Sequence, residues 1–157
     1  MDKSVQLLNY YDTHNFINSL RLQGLIIEYT SGEAYQLLEI NYLKTALFNL
    51  HAMLFYEVKN GIIINFMLLI PPGRLESHTN VEIVCLAKID KFFINDVIGQ
   101  LKSSFDFTDW TKVSIKMEEN LLTNDILHDF SEVGLSKEIE YKSSQNITVY
   151  EYSYLFE

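Results

Sequence analysis

The run MLFYEVKNGIIINFMLLIPPG, from Met53 to Gly73, limits the fold more than any other stretch of this chain. Two β-rich segments flank Asn60-Gly61, a pair that tolerates positive φ at both central positions of a tight turn. The run is therefore predicted as an antiparallel hairpin that Pro71-Pro72-Gly73 brings to a stop. A chain built around such a hairpin must supply partners for its edges and cover for its faces.

The flanking sequence supplies both. Ser4 to Tyr10 reads as a short first strand, and Asp12 or Thr13 can cap a helix carrying Phe16, Ile17 and Leu20 at helical spacing. LIIEYT, after Gly24, looks extended. From Ser31, an amphipathic helix with Leu37, Leu38, Tyr42 and Leu43 is expected to run to about His51. VEIVCLAKID, apolar on both faces from Ile83 to Ala87, reads as a central strand. Asn95 or Asp96 can cap the next helix, with Val97, Ile98, Leu101 and Phe105 on its apolar stripe. WTKVSIKM alternates Val113, Ile115 and Met117 against Ser114 and Lys116, as a strand does. Asn124 starts a helix that Gly134 closes in a left-handed conformation. LSKEIEYK and NITVYEYSYLF finish the chain as strands. The order is β-α-α-β-β-β-α-β-α-β-β, a mixed α/β sheet flanked by helices.

The 157 residues fit one domain, 1–157, with no repeat or linker-like stretch. Its net charge of −9 argues against nucleic acid, whose phosphates need clustered Lys and Arg, and against an anionic membrane surface. It leaves room for a phosphorylated ligand held by backbone N–H groups. A single cysteine, Cys85, excludes an internal disulfide and a multi-cysteine zinc site. The N-terminal MDKSVQLLNYYDTHNF has no apolar run of signal-peptide length, and Gly61 to Pro71 is too short to span a bilayer. A cytoplasmic location is expected, and the Asn146-Ile147-Thr148 sequon carries little weight there.

Several stretches, taken in order, resemble the GNAT superfamily of acyl-CoA-dependent N-acetyltransferases. LLNYYDTHNFINSL is similar to the family's opening strand and Asp-led helix. LFYEVKNGIIINFMLLI is similar to its central hairpin, and VEIVCLAKID to the strand ending in V-D-P. FSEVGLSKEIEY resembles YEKLGF and the strand after it. Together they cover nearly the whole chain.

The resemblance implies a single GNAT-like domain that uses acetyl-CoA or another acyl-CoA and no metal, with a small amine as acceptor. It places donor binding on Leu86, Ala87, Lys88 and Ile89 at the end of the central strand, and on Asn95, Asp96, Val97, Ile98 and Gly99 at the loop that cradles the pyrophosphate. The family loop reads Gln/Arg-x-x-Gly-x-Gly/Ala. Aligned on DKFFINDVIGQL, only Gly99 matches, Ile94 takes the Gln/Arg position, and Asp96 would repel a phosphate. Lys91 and Lys102 offer positive charge nearby. Glu82 matches an acidic position and is the candidate general base. Phe130 stands where the family carries a tyrosine that protonates the departing thiolate, and a phenyl ring has no proton to give. Water, or the hydroxyl of Tyr141 or Tyr150, could serve instead.

Other groupings are poorer. His128 shares a helical face with Asn124 and Asp125 but lacks a third ligand or a metal-site spacing. Cys85 in an apolar strand fits a small buried hydrophobe. Ser131 near His128 lacks a nucleophile elbow. Tyr150, Tyr152 and Tyr154 alternate along the last strand, forming either a face packed under helices or an interface for a homodimer through the C-terminal strands. Three functions remain open: an acyltransferase acting on an unidentified amine, a catalytically degenerate GNAT-like domain that binds a ligand or a protein, or a plain interaction or assembly module whose resemblance to the family is accidental.

Overall fold

The computed structural model describes residues 5–23, 39–71, 80–85, 91–104 and 112–156, with 80–85 by their backbone. Its element order is β1 (Val5–Leu7), α1 (Thr13–Gln23), α2 (Ile40–Phe48), β2 (Met53–Lys59), β3 (Ile62–Ile70), β4 (Asn80–Cys85), α3 (Lys91–Ser104), β5 (Lys112–Glu118), α4 (Asn124–Val133), β6 (Ser136–Lys142) and β7 (Thr148–Leu155). This is the order expected from the sequence. The expected strand at LIIEYT and the segments Leu37-Leu38 and Leu86–Ile89 lie outside the described residues. Internal packing divides the chain into two compact units, Met1–Pro71 with Val84–Lys88, and Pro72–Ile83 with Ile89–Glu157.

In the first unit, β1, β2 and β3 pair antiparallel in that order. The hairpin forms as predicted, with Asn60 at φ 54° and Gly61 at φ 76°. Its register shifts once: Glu57 faces Asn65 while Val58 faces Ile63, so Ile64 is an extra residue on β3. That bulge lets Ile63 share the buried face with Phe66 and Leu68. Phe16, Ile17 and Leu20 of α1 and Leu43, Ala46 and Leu47 of α2 complete this core. Burying a side chain of this size is worth roughly 2 kcal/mol.

Two boundaries in this unit differ from expectation. The first strand stops at Leu7, and Tyr10–Asp12 form a 3₁₀ turn capped by the Asn9 side chain, which accepts from the Tyr11 N–H at 3.0 Å. Thr13 then opens α1 with its hydroxyl donating to the Tyr10 carbonyl at 2.8 Å. The helix expected to run from Ser31 to His51 is not continuous. Glu39 is extended (φ −69°, ψ 133°), and its carboxylate accepts from the N–H groups of Asn41 and Tyr42. Capping two free donors stabilises a helix start there more than continuing through Glu39 would.

In the second unit β4 runs parallel to β5, β5 antiparallel to β7, and β7 antiparallel to β6, which makes a mixed sheet. Val113 and Ile115 are fully buried. Tyr152, opposite Ile115, packs its ring on Phe130 of α4 with centroids 5.2 Å apart, so this aromatic face of β7 lies under helices. Thr123 caps α4 by accepting from the Ile126 N–H, and Gly134 ends it at φ 96°. The third helix starts at Lys91, about one turn before the expected cap. Its buried stripe explains the difference: Phe93 and Ile94 lie fully buried with Val97, Ile98 and Leu101, so the apolar face needs the extra turn.

Candidate functional site

The early start of α3 changes which residues form its first turn. In an α-helix each N–H bonds to the carbonyl four residues back, so only the first four N–H groups lack an internal acceptor. Here the helix opens at Lys91, and the N–H groups from Ile94 onward lie in its ladder. Asn95, Asp96, Val97, Ile98 and Gly99 lie in the body of the helix, with their N–H groups in its ladder. Asn95 and Asp96 are therefore not its cap. Val97 and Ile98 point into the core, and Gly99 is exposed with open space where a Cβ would stand.

Lys91 is the cation at this helix start. Its ammonium donates to Glu132 of α4 at 2.5 Å, and the other Glu132 oxygen lies 3.0 Å from His128 Nε2. The hydrogen bond from Lys91, with its charge, holds the Glu132 carboxyl below the usual range, and the same bond raises the Lys91 ammonium. No acidic side chain occupies the first turn of α3. Lys102, eleven residues further along, is about 16 Å down the helix axis. It cannot serve the same end.

The other sequence-derived residues are distributed as follows. Glu82 lies in β4 with its backbone in register with Ser114 on the parallel neighbour β5. Phe130 is fully buried against Tyr152. Leu86, Ala87, Lys88 and Ile89 lie outside the described residues. Tyr150 stands on β7 opposite Met117, near the carboxyl end of β5. A hydrogen bond with Glu140, together with partial burial and the charge of Glu119, raises its phenol above the ordinary value, so it keeps its proton at neutral pH. Tyr141 sits exposed on β6. His128 is engaged by Glu132, and among the described residues no three His, Cys, Asp or Glu side chains gather as a metal site would need.

A second polar group escaped the sequence reading. Glu138 accepts from Lys112 at 2.7 Å and from Ser153, whose Oγ lies 3.0 Å from that of Ser114. Ser153 has one hydroxyl hydrogen and gives it to the carboxylate, so Ser114 must donate to Ser153. Both serines are buried, at 2% and 6% exposure. The hydrogen bonds from Lys112 and Ser153 hold the Glu138 carboxyl below the usual range. A register shift between Lys137 and Ile139 brings Glu138 to this position. No local sequence signal joins four residues from three strands.

No protein-family model matches the chain, and no curated protein matches it by sequence. Solved structures do match it. An acetyltransferase of the GNAT family from Streptococcus pneumoniae is 12% identical, with 99% of this chain and 100% of that one covered at a TM-score of 0.75. A ribosomal-protein-S5-alanine acetyltransferase from Vibrio fischeri is 14% identical, covering 99% and 93%, with a TM-score of 0.67.

The chain has the GNAT fold. A spermidine N-acetyltransferase mutant from Vibrio cholerae shares it at 14% identity, covering 97% and 94%, with a TM-score of 0.63. Within the GNAT fold of this chain, β4, α3 and β5 follow one another, with β4 and β5 parallel. Among the described residues, no helix is long and apolar enough to cross a membrane.

Proposed function

We propose that this protein transfers an acyl group from an acyl-CoA thioester to a small amine, holding the donor's pyrophosphate at the first turn of α3. The observation that carries this reading is the start of that fourteen-residue helix at Lys91, with no acidic side chain in its first turn. The positive end of its dipole suits an anion. Lys91 adds a charge that a phosphate can share with Glu132.

The thioester supplies an activated carbonyl carbon. The amine nitrogen attacks it, the carbon–sulfur bond breaks, and an amide and a thiol result. The chain's own part is to take a proton from the amine and to return one to sulfur. Glu82 is the candidate base. Tyr150, whose neighbours keep its phenol protonated, is a candidate acid, with exposed Tyr141 or water as the alternatives. Phe130 takes no part in proton transfer. The acceptor class and the pairing of two copies along exposed strand β6 belong to the same proposal.

A second reading rests on Phe130. Buried and without a hydroxyl, it fits a GNAT-fold domain that binds a ligand or protein without turnover. Calorimetric titration of the full chain with acetyl-CoA and coenzyme A tests the first reading. Saturable binding is expected, weakened about tenfold or more, at least 1.4 kcal/mol, by Lys91→Glu. Absence of binding at millimolar ligand would overturn donor binding. Binding with no acyl transfer to a panel of mono- and polyamines would favour the second reading.

A further inference from the structure

Glu132 of α4 divides its carboxylate between two neighbours. One oxygen accepts from the Lys91 ammonium at 2.5 Å, and the other lies 3.0 Å from His128 Nε2. All three side chains reach solvent, but the backbones that carry them are fixed. On α4, Phe130 and Val133 are buried, Thr123 caps the start and Gly134 closes the end. On α3, Phe93 and Ile94 are buried close to Lys91, whose ammonium lies 5.4 Å from the centre of the Phe92 ring. What can turn at this junction is the Glu132 side chain, about its own rotatable bonds.

A phosphate that reaches Lys91 meets this carboxylate. Its oxygens and those of Glu132 seek the same ammonium, and two anions brought to one cation repel each other. The hydrogen bond and charge of Glu132, with the charge of Asp129 on the same helix, raise the Lys91 ammonium above its ordinary value, so α4 already has a hold on it. His128 offers the carboxylate another place. It stands one turn back on α4, four residues from Glu132, with Nε2 within hydrogen-bonding distance. A contact of that length with a carboxylate needs a hydrogen on Nε2, which an imidazole supplies whether neutral or charged. The carboxylate can therefore give up Lys91 without losing every partner.

We infer that Glu132 gates the donor site: it holds Lys91 until a phosphate takes that ammonium, and then withdraws to His128. This rests on the reading that Lys91 and the first turn of α3 hold the donor's pyrophosphate. Two residues one turn apart on α4 then act with opposite sign. Glu132 opposes the donor by competing for Lys91, and His128 favours it by receiving the displaced carboxylate. Both are positioning residues that act through Lys91.

Amide chemical shifts of the full-length protein, followed during titration with inorganic pyrophosphate at constant ionic strength, test this. Saturable shifts centred on Lys91, Phe92, Phe93 and Ile94 are expected in the parent. Glu132→Gln should tighten that binding about fivefold, the most that an exposed ion pair is ordinarily worth, and His128→Ala should weaken it about twofold. Asp125→Asn makes the same change of charge about 10 Å away along α4 and should alter the affinity less. If Glu132→Gln tightens binding no more than Asp125→Asn does, or if His128→Ala binds as tightly as the parent, the gate is overturned and the donor site stands. Absence of saturation in the parent and in Glu132→Gln alike would overturn both.

Discussion

Gly99 lies in the body of α3, exposed, with nothing within 4 Å of where a Cβ would stand. Read from the sequence beside a family loop, it is the surviving glycine of a phosphate cradle. Read from its place in the helix, it is a flexible residue that costs roughly 1 kcal/mol relative to alanine. Gly99→Ala is therefore expected to stabilise the protein by about that amount, raising its thermal midpoint by about 2–4 °C in a melting experiment. Acetyl-CoA binding should be unchanged. Phe130 was legible in another way: the sequence placed an apolar ring where a donor was wanted, and the structure gives that ring a fully buried seat against Tyr152. What the residues alone did not disclose was the Lys112–Glu138–Ser153–Ser114 chain. Its members come from β5, β6 and β7, and only the register of the folded sheet brings them together.

At the scale of elements, local chemistry was a good guide wherever one residue type dictated the backbone. Asn60-Gly61 and Gly134 adopt the positive φ expected of them. Gly61→Ala should cost about 1 kcal/mol, because an L side chain is strained at φ 76° even though space is open there. Chemical denaturation would show this as a lower midpoint with an unchanged slope. Local chemistry misled where two residues competed for one role. Asn95 and Asp96 are good caps, but the pair Phe93-Ile94 extends the helical stripe of Val97, Ile98 and Leu101 backward by a turn. Burial of two large side chains outweighs a cap worth about 1 kcal/mol. At Glu39 the reverse holds. A residue that favours helices gives up its place in one because its carboxylate, bent back, satisfies two backbone donors.

For the molecule as a whole, the acidic balance sets how stability varies with pH. Glu132 and Glu138 have their carboxyls held low by Lys91 and Lys112 respectively. A depressed folded-state pKa gives stabilisation that is present above the ordinary glutamate range and lost as pH falls through the folded value. Stability should therefore decline below that range. Glu138→Gln should be less stable than the parent at neutral pH, by no more than about 1 kcal/mol for so exposed a carboxylate. Its deficit should shrink as the solution is acidified, and denaturant midpoints measured across pH would display the convergence. The bulge at Ile64 bears on the history of the whole chain. Removing that one residue would leave Val58 opposite Ile63 and Glu57 opposite Asn65, with every flanking side chain still on its own face. Removing any residue deeper in β3 would turn part of the strand inside out. Among descendants of this sequence, length can thus drift by one at Ile64 while the core beneath goes on unaltered.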